Sequence, residues 1–171
     1  MRGSVVRAAY ELTQTRRTQS PIHNRTMAES KPIILVCDDE AAIRSIVAAK
    51  LRSAGYEVHE ARNGVEGFGY ANFASLPGGA KPRLAAPIVP SLIVTDLQMP
   101  LISGLEMAQM FRSFVVTANV PVIMLTARGY IVDETQRVQT NIRAMVAKPF
   151  SSADLLEKVR ALLTERDRLA A

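Results

Sequence analysis

The chain lacks tryptophan and has a single cysteine, Cys37, among its 171 residues. One cysteine excludes an internal disulfide, so the sequence is not that of a small disulfide-stapled domain. No segment approaches the roughly 20 apolar residues that a membrane-spanning helix requires. Cys37 lies inside an apolar run and is interpreted as a small buried hydrophobic residue rather than a reactive thiol. These absences favour a soluble, cytoplasmic protein that makes no use of a membrane.

Aromatic residues are scarce at 5%, although hydrophobic residues make up 48% of the chain and charged residues 22%. The composition is that of a globular protein whose core is built from Ile, Leu, Val, Met and Ala. A length of 171 residues suits one domain of ordinary size and a tail.

Positive charge is also scarce outside the amino terminus, although the net charge is +5. Five arginines and one glutamate give residues 1–26 a charge of +4, which leaves +1 for the rest. We therefore predict that residues 1–30 form a disordered basic extension, with an organelle transit peptide as the less favoured alternative. The remainder carries no basic excess, so direct DNA binding is not expected.

Short apolar runs alternate with helical periodicity from Lys31 onward, and we assign residues 31–168 to one folded domain. The runs are IILVC (33–37), YEVHE (56–60), LIVT (92–95), VIML (122–125) and AMVA (144–147). Helices are predicted after each run, including 65–73, 104–114 and 131–139, and a last one that starts near Ser151. Five strands alternating with five helices predict a parallel sheet between two helical layers.

Residues 76–90 interrupt this alternation with four prolines and two glycines. Such a composition is incompatible with a helix or a central strand, so a long surface loop is predicted. A functional role and a tolerated insertion remain equally open for it.

Polar residues stand where the predicted strands end: Asp38 and Asp39, Asp96, Thr126 and Lys148. The strands of a parallel α/β sheet point the same way, so these side chains should converge on the carboxyl edge, where such sheets bind ligands. Taken singly, each acid or threonine is more simply a helix cap or turn residue, and the lysine a solvated charge. Their joint occurrence at strand ends favours a functional site.

The chemistry of this set suits a divalent cation and a phosphoryl group. Three close carboxylates need a cation, and oxygen ligands without histidine or cysteine favour Mg²⁺ or Mn²⁺ over zinc. A hydroxyl and an ammonium group, from Thr126 and Lys148, would stabilise phosphoryl oxygens. Asp96 stands alone and is the candidate nucleophile, whereas Asp38 and Asp39 form a pair fit to hold the metal.

The motifs VCDDE, TDLQMPLISGLEM, MLTA and AKPF occur in an order and at spacings that resemble the receiver domain of two-component response regulators. The resemblance extends from about Pro32 to Leu163. It implies a flavodoxin-like (βα)5 doubly wound sheet with strand order 2-1-3-4-5. It also implies that a sensor histidine kinase or a histidine phosphotransfer protein donates a phosphoryl group to Asp96.

The resemblance assigns further roles residue by residue. Asp39, Asp96 and the backbone carbonyl of Gln98 would bind Mg²⁺, with Asp38 helping through water. Thr126 and Lys148 would contact the phosphoryl oxygens. A cis peptide is expected between Lys148 and Pro149.

Switching and tuning positions follow from the same resemblance. Met145 stands where the family commonly has tyrosine or phenylalanine, which leaves the usual switching route in doubt. Gln98 and Arg128 match variable positions that tune the lifetime of the phosphorylated state.

The leading hypothesis is a stand-alone receiver without an output domain, because eight residues follow Leu163. It would signal by phosphorylation-dependent protein contact or by onward phosphotransfer, and it would not be a conventional enzyme. One alternative is a receiver-shaped scaffold that works without phosphorylation. Another is a haloacid-dehalogenase-type phosphatase, although Gln98 stands where that family has a second acid.

Overall fold

Strands and helices alternate throughout the computed structural model, which describes residues 31–71, 88–127 and 132–170. The strands are β1 (Ile33–Cys37), β2 (Glu57–Ala61), β3 (Leu92–Asp96), β4 (Val122–Thr126) and β5 (Ile142–Ala147). The helices are α1 (Ala41–Ser53), α2 (Gly64–Tyr70), α3 (Gly104–Ser113), α4 (Glu134–Thr140) and α5 (Ser152–Ala170). The predicted alternation is therefore confirmed.

The five strands form one parallel sheet in the order β2-β1-β3-β4-β5. Every residue of β3 and β4 is buried, as expected of strands covered on both faces. Strand β3 lies at the centre, so the residues that follow it reach the carboxyl edge between β1 and β4. The flavodoxin-like order and the three-layer architecture predicted from the sequence are confirmed.

One side of the sheet, here called the aliphatic face, is covered by α1 and α5. Its buried residues are branched aliphatics and one alanine: Ile34, Val36, Val47, Ala48, Leu51, Val58, Leu92, Val94, Ile123, Leu125, Val146, Leu155, Leu156, Val159 and Leu163. Alternate residues of each strand point to this side, as the two-residue period of a strand requires.

The other side, here called the aromatic face, is covered by α2, α3 and α4. Its buried residues include aromatic and sulfur-containing side chains: Cys37, Phe68, Tyr70, Met107, Phe111 and Met124. The thiol of Cys37 is 0% exposed and lies 3.8 Å from Sδ of Met107, and burial raises its pKa. Cys37 is therefore a buried core residue, as predicted.

Local signals account for the helix ends. Ser103 accepts a hydrogen bond from the Glu106 amide at 3.2 Å, and the Glu106 carboxylate accepts one from the Ser103 amide, so a capping box starts α3. Gly55 follows α1 with φ of 96°, a left-handed conformation that glycine adopts without strain. Ser151 accepts a hydrogen bond from the Ala153 amide at 3.2 Å just before α5.

Some predictions differ from the structure or fall outside it. Helix α4 begins at Glu134 rather than 131, because Asp133 caps it by accepting the Gln136 amide at 2.8 Å. Residues 1–30, the part of the predicted loop from 76 to 87, and Arg128 lie outside the described residues. None of the described helices combines the length and the apolar character needed to cross a membrane.

Candidate functional site

The carboxyl edge of the sheet brings together the polar residues that end the strands. Asp38 follows β1, Asp96 and Thr126 are the last residues of β3 and β4, and Lys148 follows β5. A cleft of about 360 Å³ opens at this edge. It is lined by Asp39, Glu40, Asp96, Leu97, Gln98, Ala127 and Lys148. Residues 110 positions apart in the chain thus share one small site, as the parallel topology requires.

The ammonium group of Lys148 lies among three carboxylates. Its Nζ is 2.8 Å from Oδ1 of Asp96, 3.0 Å from Oδ2 of Asp38 and 3.1 Å from Oε1 of Glu40. The Lys148 side chain is 17% exposed. Burial works against its charge, but contacts with Asp96, Asp38 and Glu40 outweigh that effect and raise the pKa of the ammonium group. Lys148 is therefore a permanent cation in this cleft.

Asp38 is the most deeply buried acid of the site, with 0% of its surface exposed. Its Oδ1 accepts a hydrogen bond from the Glu40 amide at 2.9 Å. Its Oδ2 is near the Lys148 ammonium but has no partner in hydrogen-bond geometry among the described residues. Burial raises the pKa of this carboxyl, while Lys148 and the Glu40 amide oppose the rise. Asp38 is thus ion-paired with Lys148 inside the site and lacks only a directed hydrogen bond at Oδ2.

Asp96 is held at its position by its own backbone surroundings. Its Oδ2 accepts a hydrogen bond from the Gln98 amide at 3.0 Å, and the residue is 7% exposed. A Cβ on Gly104 would come within 2.0 Å of the Asp96 carbonyl oxygen and 2.8 Å of Oγ1 of Thr95. Only glycine therefore allows α3 to start so close to the end of β3. The cleft-facing carboxylate is presented by a rigid strand end.

Thr126 lies on β4, which pairs with β3, and Met145 lies on the edge strand β5, which pairs with β4. The carbonyl of Thr126 accepts a hydrogen bond from the Lys148 amide at 2.7 Å, and the residue is 3% exposed. The Lys148–Pro149 peptide is cis. Met145 is paired with Met124 across β4 and β5 and packs, partly buried, against the aromatic face. The bond between the Lys148 amide and the Thr126 carbonyl thus joins the end of β4 to the residues that follow β5, the strand that carries Met145.

The residues at the cleft match the chemistry of a small cation with oxygen ligands. Asp39 is exposed at the cleft beside Asp96, and four acids face one lysine, which leaves an excess of negative charge. The Oδ2 of Asp38 has an ion-pair contact with Lys148 but no directed hydrogen bond. Among the residues described, no three carboxylate, histidine or cysteine side chains form a complete metal cage. The oxygen ligands at the cleft fit an ion such as Mg²⁺, which binds through one or two carboxylates and keeps several waters.

Two site residues, Glu40 and Arg44, were missed by the sequence analysis. Glu40 occupies the N-cap position of α1, but its side chain makes no capping bond and contacts Lys148 instead. Arg44 donates from Nη1 to the backbone carbonyl of Asp38 at 2.7 Å. The signal was the adjacency of Glu40 to the acid pair, together with the four-residue spacing to Arg44 on the same helix.

The five parallel strands and the acidic cleft at their carboxyl edge define a doubly wound α/β domain of the flavodoxin-like class. The sequence model of the response regulator receiver domain family matches residues 34–160, which is most of the chain. The chain therefore belongs to the receiver domain family of response regulators. The family resemblance of the sequence motifs is confirmed.

Several curated relatives are more than one third identical to the chain. The DNA-binding dual master transcriptional regulator RpaA of Synechocystis is 36% identical over 138 residues, which cover 81% of this chain and 52% of that protein. Hybrid signal transduction histidine kinase D of Dictyostelium discoideum is 37% identical over 162 residues, or 92% of this chain and 9% of that protein. The chain spans about half the length of the transcriptional regulators it matches.

A solved receiver domain shares the fold. It belongs to a sensor histidine kinase of Pseudomonas aeruginosa and has a TM-score of 0.60 at 23% identity, covering 79% of this chain and 99% of that one. That structure holds a magnesium ion coordinated in its active site cleft. The likeness supports the same fold for the two chains.

Proposed function

We propose that the domain accepts a phosphoryl group on the carboxylate of Asp96 from a phosphohistidine of a sensor kinase or phosphotransfer protein. The carrying observation is the pairing of Asp96 with Lys148 at 2.8 Å in a cleft that is otherwise acidic. A strand end holds the carboxylate, and a permanent cation lies where phosphoryl oxygens would need charge compensation.

Each residue of the cleft has its own role in the phosphoryl transfer. One carboxylate oxygen of Asp96 forms a bond to phosphorus as the histidine nitrogen–phosphorus bond breaks, and the leaving imidazole nitrogen takes up a proton. Lys148 neutralises charge on the phosphoryl oxygens, and Thr126 donates its hydroxyl to one of them. Hydrolysis of the resulting acyl phosphate returns Asp96 to its original state, so the domain is a reversible phosphoacceptor and not a conventional enzyme.

Divalent metal is part of this proposal. Asp39, Asp96 and the backbone carbonyl of Gln98 would hold Mg²⁺, or Mn²⁺, with Asp38 acting through a water molecule. The ion supplies charge neutralisation for the incoming phosphoryl group. The negative charge of the cleft and its carboxylate and carbonyl oxygens support this assignment.

The partners of the domain follow from the same chemistry. A histidine kinase or phosphotransfer protein is the proposed donor, and a hybrid histidine kinase is among the relatives. We expect the output to be protein contact or onward phosphotransfer. RpaA is a DNA-binding regulator, but residues 27–171 here carry a net charge of only +1, which does not support direct DNA binding by this domain.

Incubation with acetyl phosphate and Mg²⁺, followed by intact mass spectrometry, tests the proposal. A single phosphoryl adduct is expected in the full chain and in Asp167→Asn, which alters an exposed acid on α5. Asp96→Asn should show none, because the nucleophile is gone.

Three outcomes would contradict the proposal. No adduct with any donor or metal would favour the phosphorylation-independent scaffold. An adduct that survives Asp96→Asn would move the acceptor elsewhere. Catalytic release of phosphate from small phosphomonoesters would support the phosphatase alternative instead.

A further inference from the structure

We propose that Arg44 is a positioning residue that orients the acid pair Asp38 and Asp39 for the divalent cation. Arg44 lies in the first turns of α1 and its side chain is 18% exposed. Its Nη1 donates to the carbonyl oxygen of Asp38 at 2.7 Å, a charge-assisted bond to the peptide that joins the two acids. The inference rests on the proposed function, because it concerns the metal of that same cleft.

A second anchor holds the Arg44 guanidinium on its other side. Its Nε lies 3.6 Å from Oε2 of Glu60, and Oε1 of Glu60 accepts a hydrogen bond from Arg52 at 2.8 Å. The backbone of Glu60 accepts a further bond from the Tyr70 hydroxyl at 3.0 Å. The planar guanidinium thus contacts both β2 and the end of β1. The ammonium group of a lysine is a compact point charge and could not make both contacts in this way.

The peptide held in this way carries a metal-site carboxylate at each end. Asp38 points into the buried part of the site, and the exposed Asp39 lines the cleft. Rotation of the shared peptide plane would move both side chains. Groups that fix metal ligands in this way change metal affinity about 10- to 100-fold when they are removed. Arg44 therefore acts on the ion through backbone geometry.

A simple charge effect predicts the opposite result for the same substitution. Removal of a cation from an acidic region makes that region more attractive to Mg²⁺, so loss of the Arg44 charge alone would tighten metal binding. Loss of the positioning bond would weaken it. The sign of the change in affinity therefore separates the two roles. Arg52 offers a matched control, because it pairs with the same Glu60 but contacts Val58, and not Asp38.

The test is isothermal titration of the full chain with Mg²⁺, comparing wild type, Arg44→Met and Arg52→Met, without phosphodonor. Arg44→Met should raise the Mg²⁺ dissociation constant about tenfold. Arg52→Met should leave it unchanged or slightly lowered. The rate of acetyl phosphate labelling should fall in Arg44→Met at low Mg²⁺ and recover at saturating Mg²⁺. Circular dichroism of each variant checks that the fold is retained.

Equal or tighter Mg²⁺ binding in Arg44→Met would overturn the proposal. If that variant does not fold, Arg44→Lys decides, because it keeps the charge but loses the two-sided fork. Binding weaker than wild type then supports positioning, and binding equal to wild type refutes it. A wild-type chain that binds no Mg²⁺ and forms no Asp96 adduct would refute the proposed function itself. Normal wild-type behaviour with an unaffected Arg44→Met would refute only the role of Arg44.

Discussion

The two faces of the sheet are packed with different kinds of side chain. The aliphatic face is covered by α1 and α5, of 13 and 19 residues, and its buried core contains no aromatic or sulfur-containing side chain among the described residues. The aromatic face is covered by α2, α3 and α4, of 7, 10 and 7 residues, and includes phenylalanines, a tyrosine, methionines and the cysteine.

This difference indicates which face can adjust. Branched aliphatic side chains between long helices have few alternative rotamers, whereas methionine is unbranched and fills changing spaces. Met145 packs against the aromatic face, on the strand that leads to Lys148. We therefore expect the aromatic face to respond to phosphorylation, while the aliphatic face keeps the site in place. The following predictions test the contrast, from the largest expected effect to the smallest.

Phe111 is the aromatic residue whose loss should cost most. It is 2% exposed and meets Phe68 edge to face at a centroid distance of 5.5 Å. Phe111→Ala should lower the free energy of unfolding by about 4 kcal/mol, through lost burial and the cavity that remains. Leu51→Ala on the aliphatic face, at a residue 1% exposed, should cost about 3 kcal/mol. Urea unfolding measures both, and a smaller loss for Phe111→Ala would contradict the expectation that the larger side chain leaves the costlier cavity.

Gly104 and Gly55 compare a crowded position on the aromatic side with an open one at the end of α1. Gly104→Ala forces a Cβ against the Asp96 carbonyl and should cost about 3 kcal/mol. It should also slow phosphorylation of Asp96. Gly55→Ala has open space around it but a φ of 96°, so it should cost about 1 kcal/mol. Unfolding and acetyl phosphate labelling provide the two measurements. Normal labelling in Gly104→Ala would show that the strand end tolerates displacement.

Asp38, at the edge where the two faces meet, makes the free energy of unfolding depend on pH. Because burial raises its pKa above the ordinary 3.8, the folded state binds the proton more tightly than the unfolded chain does. Its contribution to stability therefore falls as pH rises from about 3.8 through the raised pKa. Without metal, Asp38→Asn should stabilise the protein at pH 7, and this gain should disappear on acidification.

Urea unfolding between pH 3 and pH 8 with chelator present measures this effect. Asp167→Asn, at an exposed acid, is the control and should show no such trend. The Lys148 contribution also falls with rising pH, but in a different range: a raised ammonium pKa keeps it intact below 10.5, and it is lost only at higher pH. Destabilisation by Asp38→Asn at pH 7 would show that the ion pair with Lys148 outweighs the cost of burial.

Met124 and Leu125 are consecutive residues of β4 that point to opposite faces, and both are 0% exposed. Met124→Leu should cost about 0.5 kcal/mol, because the aromatic face can repack around a side chain of similar volume. Leu125→Met should cost about 1 kcal/mol, because a flexible chain replaces a branched one between long helices. Thermal unfolding of both variants measures the two stability losses. Equal losses would mean that the two faces are equally adaptable.

Much of the fold could be predicted from patterns along the chain. The runs before Asp38, Asp96 and Thr126 are short and nearly all apolar, which is typical of strands covered on both faces. Their alternation with helical periodicity led to the parallel sheet. The convergence of Asp38, Asp39, Asp96, Thr126 and Lys148 followed from the direction of parallel strands alone.

The helix ends and the partners of the site residues were less accessible. The start of α4 is set by a capping box of Asp133 and Gln136, a local signature that hydrophobic periodicity does not show. Glu40 could have been an ordinary N-cap, but it turns to Lys148 instead, because the fold brings that ammonium group within 3.1 Å. This contact joins residues 108 positions apart in the chain.

The sequence by itself determined the alternation of strands and helices, the acids at the strand ends and the candidate nucleophile, because these depend on local hydrophobic periodicity and on strand direction. The strand order was implied by the family resemblance of the motifs. Only the tertiary structure decided that Lys148 contacts three carboxylates, that Asp38 is fully buried, and that Arg44 joins Glu60 to the peptide between the two acids. The reason is physical: distances of about 3 Å between groups far apart in the chain result from packing, and no pattern within one segment encodes them.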